Sequence, residues 1–146
     1  MPDILHRVGI NGTPAKVFEA LSTLDGLSHW WITGTTGDPK VGGIIKFRPG
    51  GGGFDMKVVE SKPNDLVQWK CVGGPPEWIG TDVTFRLVHK DGQVFVLFSH
   101  ANWREPVEFM HHCSTKWATF LLSLKALLES GKGRPAPEDL HVYVGG

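Results

Sequence analysis

The sequence has no surplus of charge: 15 Lys and Arg residues balance 15 Asp and Glu residues over a chain of 146. Binding to nucleic acid or to an anionic membrane through a basic face is therefore not expected, since such binding needs a basic patch or stripe. Cysteine is scarce, with Cys71 and Cys113 the only two. They show neither CxxC nor metal-type spacing, so the expectation is free, buried thiols in a reduced, cytoplasmic protein. No run approaches the roughly 20 apolar residues of a membrane span. The opening MPDILHRVGING lacks the basic start and long apolar stretch of a secretory signal. What remains is a neutral chain of single-domain length, residues 1–146, suited to a largely apolar ligand.

Tryptophan is plentiful, with six in all, and two are adjacent in GLSHWWI, at Trp30 and Trp31. A helix or strand face points only one of two neighbours into a single core. Either one ring is left to solvent or both line something other than core.

Alternation over residues 4–10 predicts a strand. In NGTPAKVFEALST, Thr13 can cap a helix whose first position is Pro14, where a missing N–H costs nothing. A short second helical turn is expected around Leu24–Trp31. Strand-like segments then start at Gly43, Phe54, Asp65, Thr81 and Gln93, separated by the turn signals PGGGG, KPND, GGPPEW and KDGQ. Such short connections make consecutive strands antiparallel neighbours. From Glu105 to Ser130 the apolar residues Phe109, Cys113, Trp117, Phe120, Leu121, Leu124 and Leu128 recur at three- and four-residue steps, predicting one long amphipathic helix closed by Gly131. The sheet is expected to wrap around it. Residues 132–146 read either as a flexible tail or as an added edge strand at LHVYV.

These segments, taken with TPAKVFEAL, LSHWW, VGGIIKF, DLVQWKCV, TDVTFRLVHKDGQ and KWATFLLSLKALLESG, resemble the START-like (SRPBCC) superfamily. Within it they resemble the activator of heat-shock-protein-ninety ATPase homologues and the polyketide cyclase-like proteins. The resemblance covers about residues 4–131. It implies an α+β helix-grip fold, a curved antiparallel sheet around a long C-terminal helix with two short helices after the first strand. It also implies a cavity between sheet and helix that holds a small hydrophobic molecule, with no cofactor. Alternatives of the same fold are a cyclase- or hydrolase-like enzyme using a cavity histidine and a co-chaperone-like interaction module, because fold alone does not give function.

In such a fold Trp30 and Trp31 fall where the helical pair meets the sheet, one packing inward while its neighbour lines the entrance. Trp69 shares a strand face with Val67 and Cys71, and Phe85 with Val83 and Leu87; both sets, with Phe54, Met56 and Trp117, should face the terminal helix. Most of these are core by the usual preference of large aromatics. Phe109, Cys113 and Trp117, near the helix N-terminus, are expected to touch a ligand. His100 or His112 could serve as general acid or base. A metal is not expected: His111, His112 and Cys113 in MHHCS project about 100° apart on a helix and cannot share one ion. RPGGGGF lacks the Gly-Lys-Ser/Thr ending of a phosphate loop and reads as a loose hairpin beside the cavity mouth. VFVLF is apolar on both faces, so the outer one is expected to lie under a second subunit, as a homodimer, or under the C-terminal tail.

Overall fold

In the computed structural model, which describes residues 1–50 and 52–145, the chain runs β1 (Ile4–Ile10), α1 (Pro14–Ser22), α2 (Leu24–Trp30), β2 (Thr36–Gly37), β3 (Ile44–Phe47), β4 (Phe54–Lys62), β5 (Leu66–Gly73), β6 (Asp82–Lys90), β7 (Gln93–Ala101) and α3 (Glu108–Ser130). The strands form one antiparallel sheet in the order β1-β7-β6-β5-β4-β3-β2, the helix-grip arrangement. Gly51, within the glycine run read as a hairpin, and Gly146, at the end of the tail, lie outside the described residues.

Local chemistry sets the helix ends. Thr13 caps α1 by accepting from the Lys16 N–H, with Pro14 at the first position. Thr23 caps α2 in the same way through the Gly26 N–H. The two helices meet closely at Gly26, where a Cβ would stand 2.6 Å from the Ala20 backbone. That proximity lets the Trp30 indole N–H donate to the Ala20 carbonyl at 2.8 Å. α3 begins at Glu108, three residues later than the periodicity predicts: Val107 is extended, and Arg104 donates to the Ile79 and Pro76 carbonyls, holding the preceding loop against the β5–β6 loop. Gly131 ends α3 in the left-handed conformation, φ 82°.

The concave face of the sheet carries Ile45, Phe47, Met56, Val58, Val67, Trp69, Val83, Phe85, Val94, Val96 and Phe98, all buried against α1, α2 and α3. The cross-strand pair Phe85 and Phe98 packs edge-on at 5.2 Å, and Trp117 of α3 lies against Phe98 at 4.5 Å.

Two expectations are corrected here. Among the described residues the C-terminal tail does not cover the convex side of β7, where Phe95 lies beneath the Arg7 guanidinium at 4.6 Å and the Lys90 ammonium at 5.5 Å. Leu5 and Leu97 beside it stay exposed, at 69% and 40%. Nor does the tail extend the sheet. Its one bridge is parallel, between Ile32 and Ala136, and LHVYV forms no strand among the described residues. The segment instead crosses the open end of the helix grip.

Candidate functional site

A cleft of about 910 Å³ opens where the N-terminal half of α3 leaves the sheet. One wall is α3 itself, with Phe109, His112, Cys113, Lys116, Trp117 and Phe120. A second comes from three loops of the sheet and helical pair, with Trp31, Phe54 and Trp78 as their aromatic members. The third is the C-terminal segment, through Ala136, Pro137, Asp139, His141 and Tyr143.

That segment is fixed at its start. The Ser123 hydroxyl on α3 donates to the Trp30 carbonyl at 2.8 Å and accepts the Arg134 N–H at 2.6 Å. Gly133 makes the approach feasible, because a Cβ there would stand 2.3 Å from the His29 carbonyl oxygen. Ala136 then exchanges backbone hydrogen bonds with Trp31 and Thr33.

The adjacent tryptophans are both buried, but they do different things. Trp30 is core throughout, edge-on to Phe85 at 6.0 Å and hydrogen-bonded to Ala20. Trp31, the C-cap of α2, leaves the helical register there and meets Phe47 at 4.4 Å, Trp117 at 4.8 Å, Phe54 at 5.0 Å and Trp69 at 5.7 Å. Its ring forms the floor of the cleft, so Trp31, rather than Trp30, is the one that lines it. Of the remaining residues singled out from sequence, Phe54, Phe109, His112, Cys113 and Trp117 line the cleft. Met56, Trp69 and Phe85 stand behind it as core, at the middle of the sheet where α3 covers them.

His100 is also behind the wall and fully buried. The Trp117 indole, which can only donate, gives its N–H to His100 Nδ1 at 3.1 Å. The ring proton therefore sits on Nε2, which lies 2.8 Å from Thr81 Oγ1; that hydroxyl in turn donates to the Trp78 carbonyl at 2.5 Å. Burial among Trp78, Trp103 and Trp117 pulls the imidazole pKa down to about 3, against a smaller upward pull from Asp82. With both nitrogens committed and no opening to the cleft, His100 is a structural neutral imidazole and not the general base expected of a cavity histidine. Its role is to orient Trp117 and the Trp78 loop.

Cys113 faces the cleft from a buried position. Burial pushes its thiol up to about 12, outweighing the Trp78 indole N–H beside it, which acts in the opposite direction without regular hydrogen-bond geometry, while Glu77 adds to the rise. Burial raises Cys71 as well. Neither thiol is activated. At pH 8 both are expected to react with dithionitrobenzoate far more slowly than after unfolding in urea, and a fast phase in the folded protein would show an accessible thiolate. Among the described residues no cluster of His, Cys, Asp or Glu is arranged to hold a metal.

The residues that sequence reasoning missed are Trp78, Lys116, Phe120, Asp139, His141 and Tyr143. Phe120 lay in the apolar stripe of α3. Trp78 stood in GGPPEW, an aromatic ring within a Pro- and Gly-rich turn, which is itself a signal of a ring held over something. The tail residues had no periodicity to place them.

The fold recurs among solved structures. The Aha1 dimer from Colwellia psychrerythraea, solved in solution, is 50% identical, covers 91% of this chain and 100% of that one, and superposes with a TM-score of 0.84. The protein SSP2350 from Staphylococcus saprophyticus, at 18% identity, covers 92% of this chain and 98% of that one with a TM-score of 0.76. CalU16 from Micromonospora echinospora, at 16% identity, covers 88% and 77% with a TM-score of 0.73; these last two show the fold alone. No curated protein sequence matches the chain. The order of strands and the helix grip agree with a match over residues 11–129 to the family described as Activator of Hsp90 ATPase homolog 1-like protein, and the chain belongs to that family.

Proposed function

We propose that this chain binds a small, mostly apolar molecule in the cleft beside α3, acting as a carrier or sensor-like module. The observation that carries the reading is the wall of Trp31, Phe54, Trp78, Phe109, Trp117 and Phe120 around about 910 Å³. Ligand sites of about 300–1,000 Å³ are lined in this way, predominantly by aromatic and aliphatic groups with a few polar ones. The rings are held from behind by the packed core, so the site is largely preformed and a ligand need not order it.

The cyclase- or hydrolase-like alternative loses its best-placed base, because His100 is committed on both nitrogens. His112, stacked on Phe109 at 5.9 Å, and His141 of the C-terminal segment are the imidazoles left on the cleft wall. The co-chaperone reading rests on the family description alone. A homodimer has a specific observation behind it: the 50% identical Colwellia psychrerythraea protein is described as a dimer. The exposed Leu5 and Leu97 on the convex sheet give a second copy an apolar surface to cover. Two free cysteines fit a reducing cytoplasm, and among the described residues no helix is long and apolar enough to cross a membrane.

Native mass spectrometry of the purified protein tests ligand and assembly together. The expected spectrum shows twice the chain mass and a non-covalent adduct that leaves on denaturation. An apo protein that also retains none of an added neutral apolar probe, N-phenyl-1-naphthylamine, would overturn the binding reading. A persistent monomer would overturn the dimer.

A further inference from the structure

Among the described residues lining the cleft, one carries a permanent positive charge and one a carboxylate: Lys116 on α3 and Asp139 on the C-terminal segment. They are paired, Nζ to Oδ2 at 2.5 Å, with side chains only 21% and 12% exposed. The ammonium also donates to the Leu140 carbonyl at 2.9 Å and lies 5.8 Å from the centre of the Phe120 ring. Withdrawing two charges from water this far has a desolvation cost that their attraction does not generally repay, and an apolar pair would seat the segment equally well. The pair thus stands out on a wall otherwise built of rings.

Past Ala136, little else holds the segment down. Its backbone turn, Glu138 N–H to the Pro135 carbonyl, is internal, as is the bond from Arg134 Nε to the Glu138 carbonyl. Leu140 and Tyr143 are exposed, at 46% and 60%, so apolar burial does not seat it. The link from Lys116 to Asp139 and Leu140 is its principal polar attachment to α3, with the His112 and Tyr143 rings in contact at 5.7 Å.

We propose that the cleft takes an amphipathic anion, an apolar or aromatic body carrying a carboxylate or sulfonate-type group. Lys116 is its counter-ion, and Asp139 occupies the anion's place when the cleft is closed. The proposal rests on the ligand-binding reading above. Exchange of one anion for another leaves Lys116 paired in both states, so binding need not strand a charge. Release of Asp139 frees the segment from Asp139 onward, which opens the cleft as the ligand enters. His112 on the α3 wall and His141 on the C-terminal wall supply further ring nitrogens for the head group.

The test uses two fluorescent probes that differ by one sulfonate, 1-anilinonaphthalene-8-sulfonate and neutral N-phenyl-1-naphthylamine, titrated into the full chain. The readout is the ratio of their affinities in wild type, Asp139→Asn, Lys116→Met and Lys116→Arg. Asp139→Asn removes the built-in competitor, and the ratio is expected to rise roughly three- to tenfold in favour of the anion, because a larger fraction of molecules is binding-competent. Lys116→Met is expected to lower the ratio by a similar factor, and Lys116→Arg, which keeps the charge, to hold it near wild type. A ratio unchanged in both Asp139→Asn and Lys116→Met, with the neutral probe still bound, overturns this proposal alone. Failure of both probes to bind any of the proteins overturns it together with the ligand-binding reading, and failure of the anionic probe alone overturns this proposal only.

Discussion

Lowering the pH from neutrality towards 3 is expected to remove about 4 kcal/mol of folding stability through His100 alone, at about 1.4 kcal/mol for each unit of displaced pKa. The imidazole pKa falls from an ordinary 6.5 in the unfolded chain to about 3 in the fold. Between those values the unfolded chain takes up a proton that the folded chain refuses, so stability drops as pH falls below 6.5 and the loss is nearly complete at 3. The cause is geometric. Nδ1 already accepts from Trp117, so a second ring proton would have to point at a donor, inside a shell of indole rings that leaves the imidazole fully buried.

Urea denaturation at stepped pH, in wild type and His100→Gln, separates this from the general titration of carboxylates. At pH 7 the Gln variant is expected to be less stable by about 1–3 kcal/mol, for the Trp117 N–H or the Thr81 hydroxyl left unpaired. The gap should then shrink steadily below pH 6.5, because the variant has no imidazole to charge. Parallel curves would show that acid sensitivity comes from elsewhere.

His100 also shows how far the sequence could be read. Its place was legible: Val94, Val96, Phe98 and His100 alternate along one strand, and the three apolar residues mark their face as core. What could not be read was whether that face, at that height, looked into an opening or into more core. The answer depends on Trp78 and Trp103, which arrive from loops with no periodicity. Period-2 and period-3.6 patterns placed β1, β3 to β7 and all three helices, because a buried face imposes its spacing on the residues that build it. β2 escaped, since two residues, Thr36 and Gly37, are too few to alternate. The same reason explains the half-seen cleft. Its α3 wall followed from the stripe that includes Phe109, Cys113 and Trp117, whereas its outer wall is made of Pro- and Gly-rich loops and the C-terminal segment, positioned by backbone hydrogen bonds at Ala136 and by Ser123 rather than by a pattern of side chains.

Trp30 and Trp117 give the second large effect, and a pair of truncations separates core from cleft. Trp117→Ala is expected to cost about 3–5 kcal/mol, the usual range for deleting a large buried aromatic, and to leave the His100 acceptor unpaired as well. Trp30→Ala should cost a similar amount, since its ring is equally buried and its N–H is also spent within the fold, on Ala20. The two should part on binding. Trp117 touches the Trp31, Trp78 and Phe98 rings and forms part of the cleft wall, so its loss widens the site and weakens an apolar probe at least tenfold, where about 1.4 kcal/mol is one factor of ten. Trp30 contributes no surface to the cleft, and in that variant probe affinity per folded molecule should stay within about twofold of wild type, the scale of a change under 0.5 kcal/mol. Denaturation midpoints and probe titrations on the same samples check both. Equal losses of affinity in the two variants would mean that the probe reports general loosening of the fold, and that adjacency of Trp30 and Trp31 in the chain marks a single packed core rather than the boundary between a core and a binding site.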